Sequence, residues 1–256
     1  MSKLFCMSFR GFAAFVLITL TTTYGSAQCG RGTTGINGIG TESGRPFQAD
    51  RVTTSVQTLA DGSRRTVSFT DYVARDSTGR IRIERLLSLV ASEADFKAAA
   101  RQIIICDPNA GSSIVLDTRN QTATVVEDPT PAQPHRARRS YSSPFFPSAA
   151  TRLPTNVLFE DLGYKTIEGV VAHGGRHTQL TAPQVAGSGG SPIRTDERWS
   201  SDDLAADVLE VHTDLKTGNE TRIALTRLRR SEPEASLFEI PAGYSITKTA
   251  LPASPK

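Results

Sequence analysis

Two histidines stand four residues apart in His173-Gly-Gly-Arg-His177, the spacing in this chain most suggestive of chemistry. On a helix such a pair shares a face and can hold zinc, as in H-E-x-x-H sites. Two adjacent glycines oppose a helix by about 1 kcal/mol each. On a strand the pair stands about 13 Å apart. Neither geometry chelates without a sharp turn and a third ligand, so the pair is expected to be exposed hairpin histidines and no metal is expected. Gly187-Ser-Gly-Gly190 lacks the Lys-Ser/Thr that completes a phosphate cradle, and no G-x-S-x-G elbow occurs. A hydrolase would need His173, His177 or His212 beside a serine and a carboxylate. Spacing nominates no such set, no catalytic residue is assigned, and no cofactor is expected.

The segment from Asp71 to Glu84 gathers Arg75, Arg80 and Arg82 with Asp71, Asp76 and Glu84. The three arginines are the candidate anion-binding residues. The competing reading is a solvated face of cross-strand ion pairs. His135 to Arg139, "HRARR", would suit nucleic acid in other surroundings, but prolines flank it and the first residues read as an export signal. The formal charge is +3, from 29 basic and 26 acidic residues. Loss of Lys3 and Arg10 with the leader brings this to 27 against 26, which leaves no global field to concentrate nucleic acid or anionic membrane. No nucleic-acid partner is expected. Of the three cysteines, Cys6 leaves with the leader. Cys29 and Cys106 either bridge or leave Cys106 an ordinary buried thiol. Asn120 and Asn219 fit the N-glycosylation pattern in "NQT" and "NET".

These residues need elements to position them. Residues 1–27 read as a signal peptide: Lys3 and Arg10, an apolar run from Phe12 to Leu20, then small residues before a cut after Ala27. The run is far short of the ~20 residues that cross a bilayer as a helix, and no membrane span follows. The protein is expected in the periplasm or outside the cell. Residues 28–50 read as a disordered glycine-rich arm. Residues 51–245 form the antiparallel β domain. Its alternating Val, Thr and aromatic runs turn at Asp61-Gly62, Thr78-Gly79, Arg119-Asn120 and Lys216-Thr217-Gly218. One side of that sheet is expected to be wet. One clear helix is predicted over 92–102, opened by Ser92 and Asp95. The proline-dense, basic stretch 127–155 reads as a linker or long loop, and 246–256 as a disordered tail.

Trp199 to Leu204, a return strand at 208–214, a turn at Gly218, a strand to Leu228 and "SLFEIPAGYS" (236–245) compose a block. It resembles the C-terminal block of periplasmic LolA/RseB-like half-barrel proteins. "YVARDSTGRIRIE" and "EDLGYKTIEGV" are similar to segments of uncharacterised exported bacterial proteins with the same ending. The resemblance implies a mainly β fold, a curved antiparallel half-barrel with one or two short helices. It implies lipid or another envelope protein as partner, in a non-enzymatic binding or sensing scaffold. A structural module with a self-filled core is the alternative, and a hydrolase the second. The chain departs from the group: the glycine-rich arm replaces an amphipathic first helix, and aromatic residues are only 7%. Trp199, Phe238 and Tyr244 are the candidate structural or ligand-facing residues. In the closing segment Pro241 should stop ladder pairing and Gly243 should turn Tyr244 back onto the core.

Overall fold

In a computed structural model of the chain, residues 35–86, 100–127, 145–148, 152–181 and 190–250 are described. The expected signal peptide, the helix up to residue 99, residues 128–144 of the proline-dense stretch and the loop at 182–189 lie outside them. Among the described residues no helix is long and apolar enough to cross a membrane.

A fourteen-stranded sheet carries the fold. A short hairpin, β1 (Gly35–Ile36) and β2 (Ile39–Gly40), precedes six strands in meander order. These are β3 (Phe47–Thr58), β4 (Arg64–Arg75), β5 (Ile81–Leu86), β6 (Arg101–Asp107), β7 (Ser112–Asp117) and β8 (Thr122–Glu127). A second meander follows: β9 (Val157–Ile167), β10 (Val170–Leu180), β11 (Pro192–Ser201), β12 (Ala206–Asp214) and β13 (Glu220–Arg229). Pairing of β3 with β13 joins the two meanders into one open, curved antiparallel sheet of half-barrel type. The turns fall where glycine was expected to permit them, with φ +81° at Gly62 and +90° at Gly79.

Several boundaries differ from expectation. The glycine-rich arm is ordered from Gly35, because Asn37 and Gly38 both take positive φ and close a two-residue turn between β1 and β2. Arg101 and Gln102, expected as the last helical residues, open β6. The tail does not trail off at 246. After Gly243, Ser245 donates its backbone N–H to Gln121, and Ser245–Ala250 form β14, parallel to β8. Parallel pairing follows because the chain arrives from the far side of the sheet, running in the direction of β8.

The wet side is not one face of the sheet but one end of its strands. In β4, residues 64–66 are exposed on both faces, whereas Val73, Ala74 and Arg75 are buried on both. Cover at that end explains the gradient. On one face Phe47, Val73, Ile81, Ile83 and Cys106 pack with Ile36, Ile39, Leu204 and Val208. On the other, the closing segment packs Phe238, Leu237, Ile240 and Tyr244 against Ala74, Ile103, Ile105, Leu116 and Ala123. The segment is a latch, with Ala235–Phe238 forming a 3-10 turn and Phe238 only 4% exposed. Arg82 donates to the Leu237 carbonyl, and the Arg80 guanidinium lies 4.8 Å from the Phe238 ring centre. Cys106 is fully buried and disulfide-bonded rather than a free thiol. Its sequence partners, Cys6 and Cys29, both lie outside the described residues.

Arg75 is the deepest charge in the sheet. Its Nε and Nη2 donate to the Arg45 carbonyl at 3.0 and 2.6 Å, and its Nη1 to Gly40 and Ala205 at 2.7 and 3.2 Å. Nη2 also donates to Leu204. One guanidinium thus satisfies carbonyls from the segment before β3 and from the β11–β12 turn, and it lies 5.0 Å from the Phe47 ring centre. Arg75→Leu would remove the donors these carbonyls share, at about 1–3 kcal/mol for each buried group left unpaired, although the Ala205 carbonyl keeps the Gly40 N–H at 2.8 Å. Urea denaturation should show a loss of several kcal/mol, which Arg75→Lys does not restore because an ammonium lacks the planar fork. Phe238→Ala should cost about 3–5 kcal/mol and speed amide hydrogen exchange in β14.

Candidate functional site

Cross-strand register places the polar residues of the second meander on one face, here termed the histidine face. His177, Asp196, His212, Thr221 and Ser55 form one row of directly opposed residues. Gly175, Arg198, Glu210, Ile223 and Thr53 form the next. Leu225, Arg51 and Asp71 form a third, nearer the sealed end. Opposed residues in a sheet share a face, so these rows continue the surface that begins at Phe47 and Val73.

The charges in these rows are paired but strained by burial. Arg51 lies 3.9 Å from Asp71, a long contact for an ion pair. Burial pulls the Arg51 guanidinium below its usual range against the pull of Glu210 and Asp71. Burial likewise raises Asp71, against Arg85 and Arg51. Both partners are thus displaced toward their neutral forms, so their attraction does not offset desolvation. Glu210 is also disfavoured by burial, but His212, Arg198 and Arg51 together outweigh this and lower it. Arg198 bonds Glu210 at 3.0 Å and lies 3.4 Å from Asp207. Thr53 is only 6% exposed and its hydroxyl has no hydrogen-bond partner; nor do Nε of Arg85, Nε of Arg198 and Nε2 of His177.

Beside these rows lies a group of rings, and the histidines are not free on the surface. His173 bonds Asp161 at 2.9 Å and stacks against Tyr164, its partner across the strand, with centres 4.5 Å apart. Phe146 stacks on the same imidazole at 4.5 Å. Phe145 stacks on His177 at 4.4 Å, and Phe159 meets His177 edge-on at 5.3 Å. His212 bonds Asp196 through Nδ1 at 2.6 Å, with Glu210 at 3.8 Å from Nε2. Among the described residues no three metal-ligating side chains cluster. None of the three histidines shares a hydrogen bond with a serine; Ser200, opposite His173, bonds Asp207 instead. The catalytic set that a hydrolase would need is therefore not assembled there.

The candidate anion site also disperses. Arg75 is spent on carbonyls, Arg80 pairs with Asp76 at 2.6 Å, and Arg82 pairs with Glu84 at 2.8 Å. Strand alternation puts Arg75 and Arg82 on opposite faces, so the three do not converge. Trp199 is a packing residue: it is 6% exposed, bonds Glu197 at 2.6 Å, and lies under Lys165 at 3.5 Å. A Cβ on Gly174 would stand 2.5 Å from its ring. Phe238 and Tyr244 belong to the latch. The rows around Arg51, Glu210 and Arg198 were missed by sequence reading because their residues come from β3, β11 and β12. Alternation of charged with apolar residues in "ERWSS" and "VLEVHTD" was the available signal.

His177 and His212 respond to pH in opposite senses. Burial lowers His177, and Arg198 adds to this against Asp196 and a hydrogen bond to the Phe145 backbone. The nearby Glu210 carboxylate and the hydrogen bond to Asp196 raise His212 against burial. The contribution of His177 is therefore present above the ordinary value of about 6.5 and lost as pH falls from there through its lowered value. That of His212 is present below about 6.5 and lost as pH rises through its raised value. Ring NMR titration should show His177 protonating below His212. His177→Phe should flatten the acid limb of Tm against pH and His212→Phe the alkaline limb.

No family model matches the chain, and no curated protein does. Among solved structures it is similar to an uncharacterized conserved protein from Thermus thermophilus, at 10% identity over 80% of this chain and 91% of that one, TM-score 0.40. It is similar to a chain of the Pseudomonas aeruginosa MucA/MucB complex at 13% identity, over 82% of this chain and 60% of that one, TM-score 0.39. A LolA superfamily protein from Nitrosomonas europaea matches at 11% identity, over 76% of this chain and 90% of that one, TM-score 0.28. The chain spans about 60% of the length of the MucB chains it matches. One of these structures is named as a LolA superfamily protein, the group that the C-terminal block resembles.

Proposed function

We propose that the chain is an exported, non-enzymatic binding scaffold of the cell envelope whose histidine face shelters a guest with both apolar and polar groups, either a lipid or a segment of an envelope protein. The observation that carries this reading is the buried polar stripe, in which Arg51 and Asp71 are both pushed toward neutrality while the Thr53 hydroxyl is buried without a partner. A face selected for stability alone would fill these positions with apolar side chains, since replacing a buried ion pair by hydrophobic residues is often neutral or stabilising. Perturbed charges are characteristic of functional surfaces. The guest's polar group would pair with the Arg51 and Asp71 side chains, and its apolar part would lie against the rings of Phe159 and Tyr164. Affinity then comes from burial and hydrogen bonding, with no bond made or broken.

The self-filled module is the second reading, favoured by Phe145 and Phe146 already seated on the face. Native mass spectrometry of the chain purified without detergent from the envelope of its host separates the two. A scaffold should carry a bound mass that is lost by at least tenfold in the Arg51→Met/Asp71→Leu variant, whose urea midpoint stays at or above the parent value. A chain that carries no added mass in either form, with the variant simply more stable, would refute the scaffold.

A further inference from the structure

We propose that Phe145-Phe146 is an intramolecular plug in a two-ring receptacle, and that the guest recognised there is a polypeptide segment bearing two consecutive aromatic side chains between prolines. This deepens the scaffold reading and rests on it.

The receptacle is built by regular strands. His173, Gly175 and His177 occupy alternate positions of β10 and so line one face side by side. Gly175 is its floor: a Cβ there would stand 2.7 Å from the Phe159 ring and 2.9 Å from the Phe146 ring. Any larger residue would close the space that Phe146 fills. Phe146 lies nearly parallel to His173, at 13°, and edge-on to Phe159 at 6.1 Å. Phe145 lies nearly parallel to His177, at 17°, with the Arg198 guanidinium 4.9 Å from its centre. His177 also hydrogen-bonds the Phe145 backbone, which fixes the direction of the entering chain. Two neighbouring rings therefore have two separate seats, and the backbone between them has a hydrogen-bond partner.

Two of the walls are held by partners outside the plug. Asp161 fixes His173, and Glu210 and Asp207 fix Arg198. Residues 145–148 are not part of any strand and contribute to no ladder. Ring stacking, the Arg198 cation–π contact and the hydrogen bond from His177 seat the two rings on this face. A tethered occupant acts at an effective concentration of the order of millimolar. It therefore lowers the apparent affinity of a free competitor by the fraction of receptacles it leaves open. The sequence around it, Pro144-Phe-Phe-Pro147, states what the seats accept: paired aromatics between two prolines, with Phe145 and Phe146 seated in a turn and a bend.

The probe is a fluorescein-labelled peptide copying residues 142–149, Ser-Ser-Pro-Phe-Phe-Pro-Ser-Ala, titrated into the full chain and read by anisotropy. Phe145→Ser/Phe146→Ser should bind it one-to-one and at least tenfold more tightly than the parent chain. Adding Gly175→Val should abolish that binding, and a peptide with both phenylalanines replaced by serine should not bind. Equal binding to parent and double variant overturns the proposal, as does no binding to a double variant with parental circular dichroism. If the double variant loses its native spectrum, the rings are core and the proposal also falls. A chain that carries a lipid mass while its double variant ignores the peptide keeps the scaffold and loses the plug.

Discussion

The fold depends on a flat cation in a place without water. Arg75 has no exposed surface, and its donors are shared among carbonyl oxygens of two segments that lie far apart along the chain. An isolated charge at that depth would be prohibitive. It is tolerated because several carbonyl dipoles converge on one plane and because Phe47 adds its π-face. The consequence is positional. The β1–β2 hairpin and the turn before β12 cannot move apart without leaving oxygens unpaired, so the sealed end of the sheet is set by a hydrogen-bond count as much as by apolar packing.

From that end, burial decays along the strands. Both faces are covered at Val73 and Ala74, and both are open near Arg64. The histidine-face rows occupy the middle of this gradient, where side chains are withdrawn from bulk water but not sealed by neighbours. Such a depth explains the opposed shifts of Arg51 and Asp71: a low dielectric penalises each charge before the other can compensate. Close backbone packing on the opposite face supports the same strands, since Trp199 lies against the bare Cα of Gly174. Gly174 and Gly175 thus serve two faces of β10, one holding the tryptophan and the other receiving a phenylalanine.

Much of the sheet was legible. Glycine turns at Gly62, Gly79 and Gly218 and the alternating runs between them place the strands, and the Leu-Phe…Pro-x-Gly-Tyr ending does fold onto a core. The Asn37-Gly38 turn was legible too, but the abundance of glycine around it suggested disorder, where the dipeptide itself specifies a hairpin. β14 was not legible, because "SITKTA" gains its ladder only from the edge of β8, a long-range partner. The histidine pair illustrates the limit at the site. Spacing suggests exposed hairpin histidines, and nothing local shows that rings from a proline-bounded segment stack on both imidazoles. The three arginines failed as a group for a simpler reason, since alternation sends Arg75 and Arg82 to opposite faces.

The seam between the meanders has a consequence for biogenesis. β3 is among the first strands to be synthesised, and the partner that completes it, β13, is nearly the last. Because loop closure must precede that pairing, a nascent chain emerging in order holds an unfinished sheet until residue 229 is available. The topology itself thus postpones consolidation of the seam until all but the last of the strands exist.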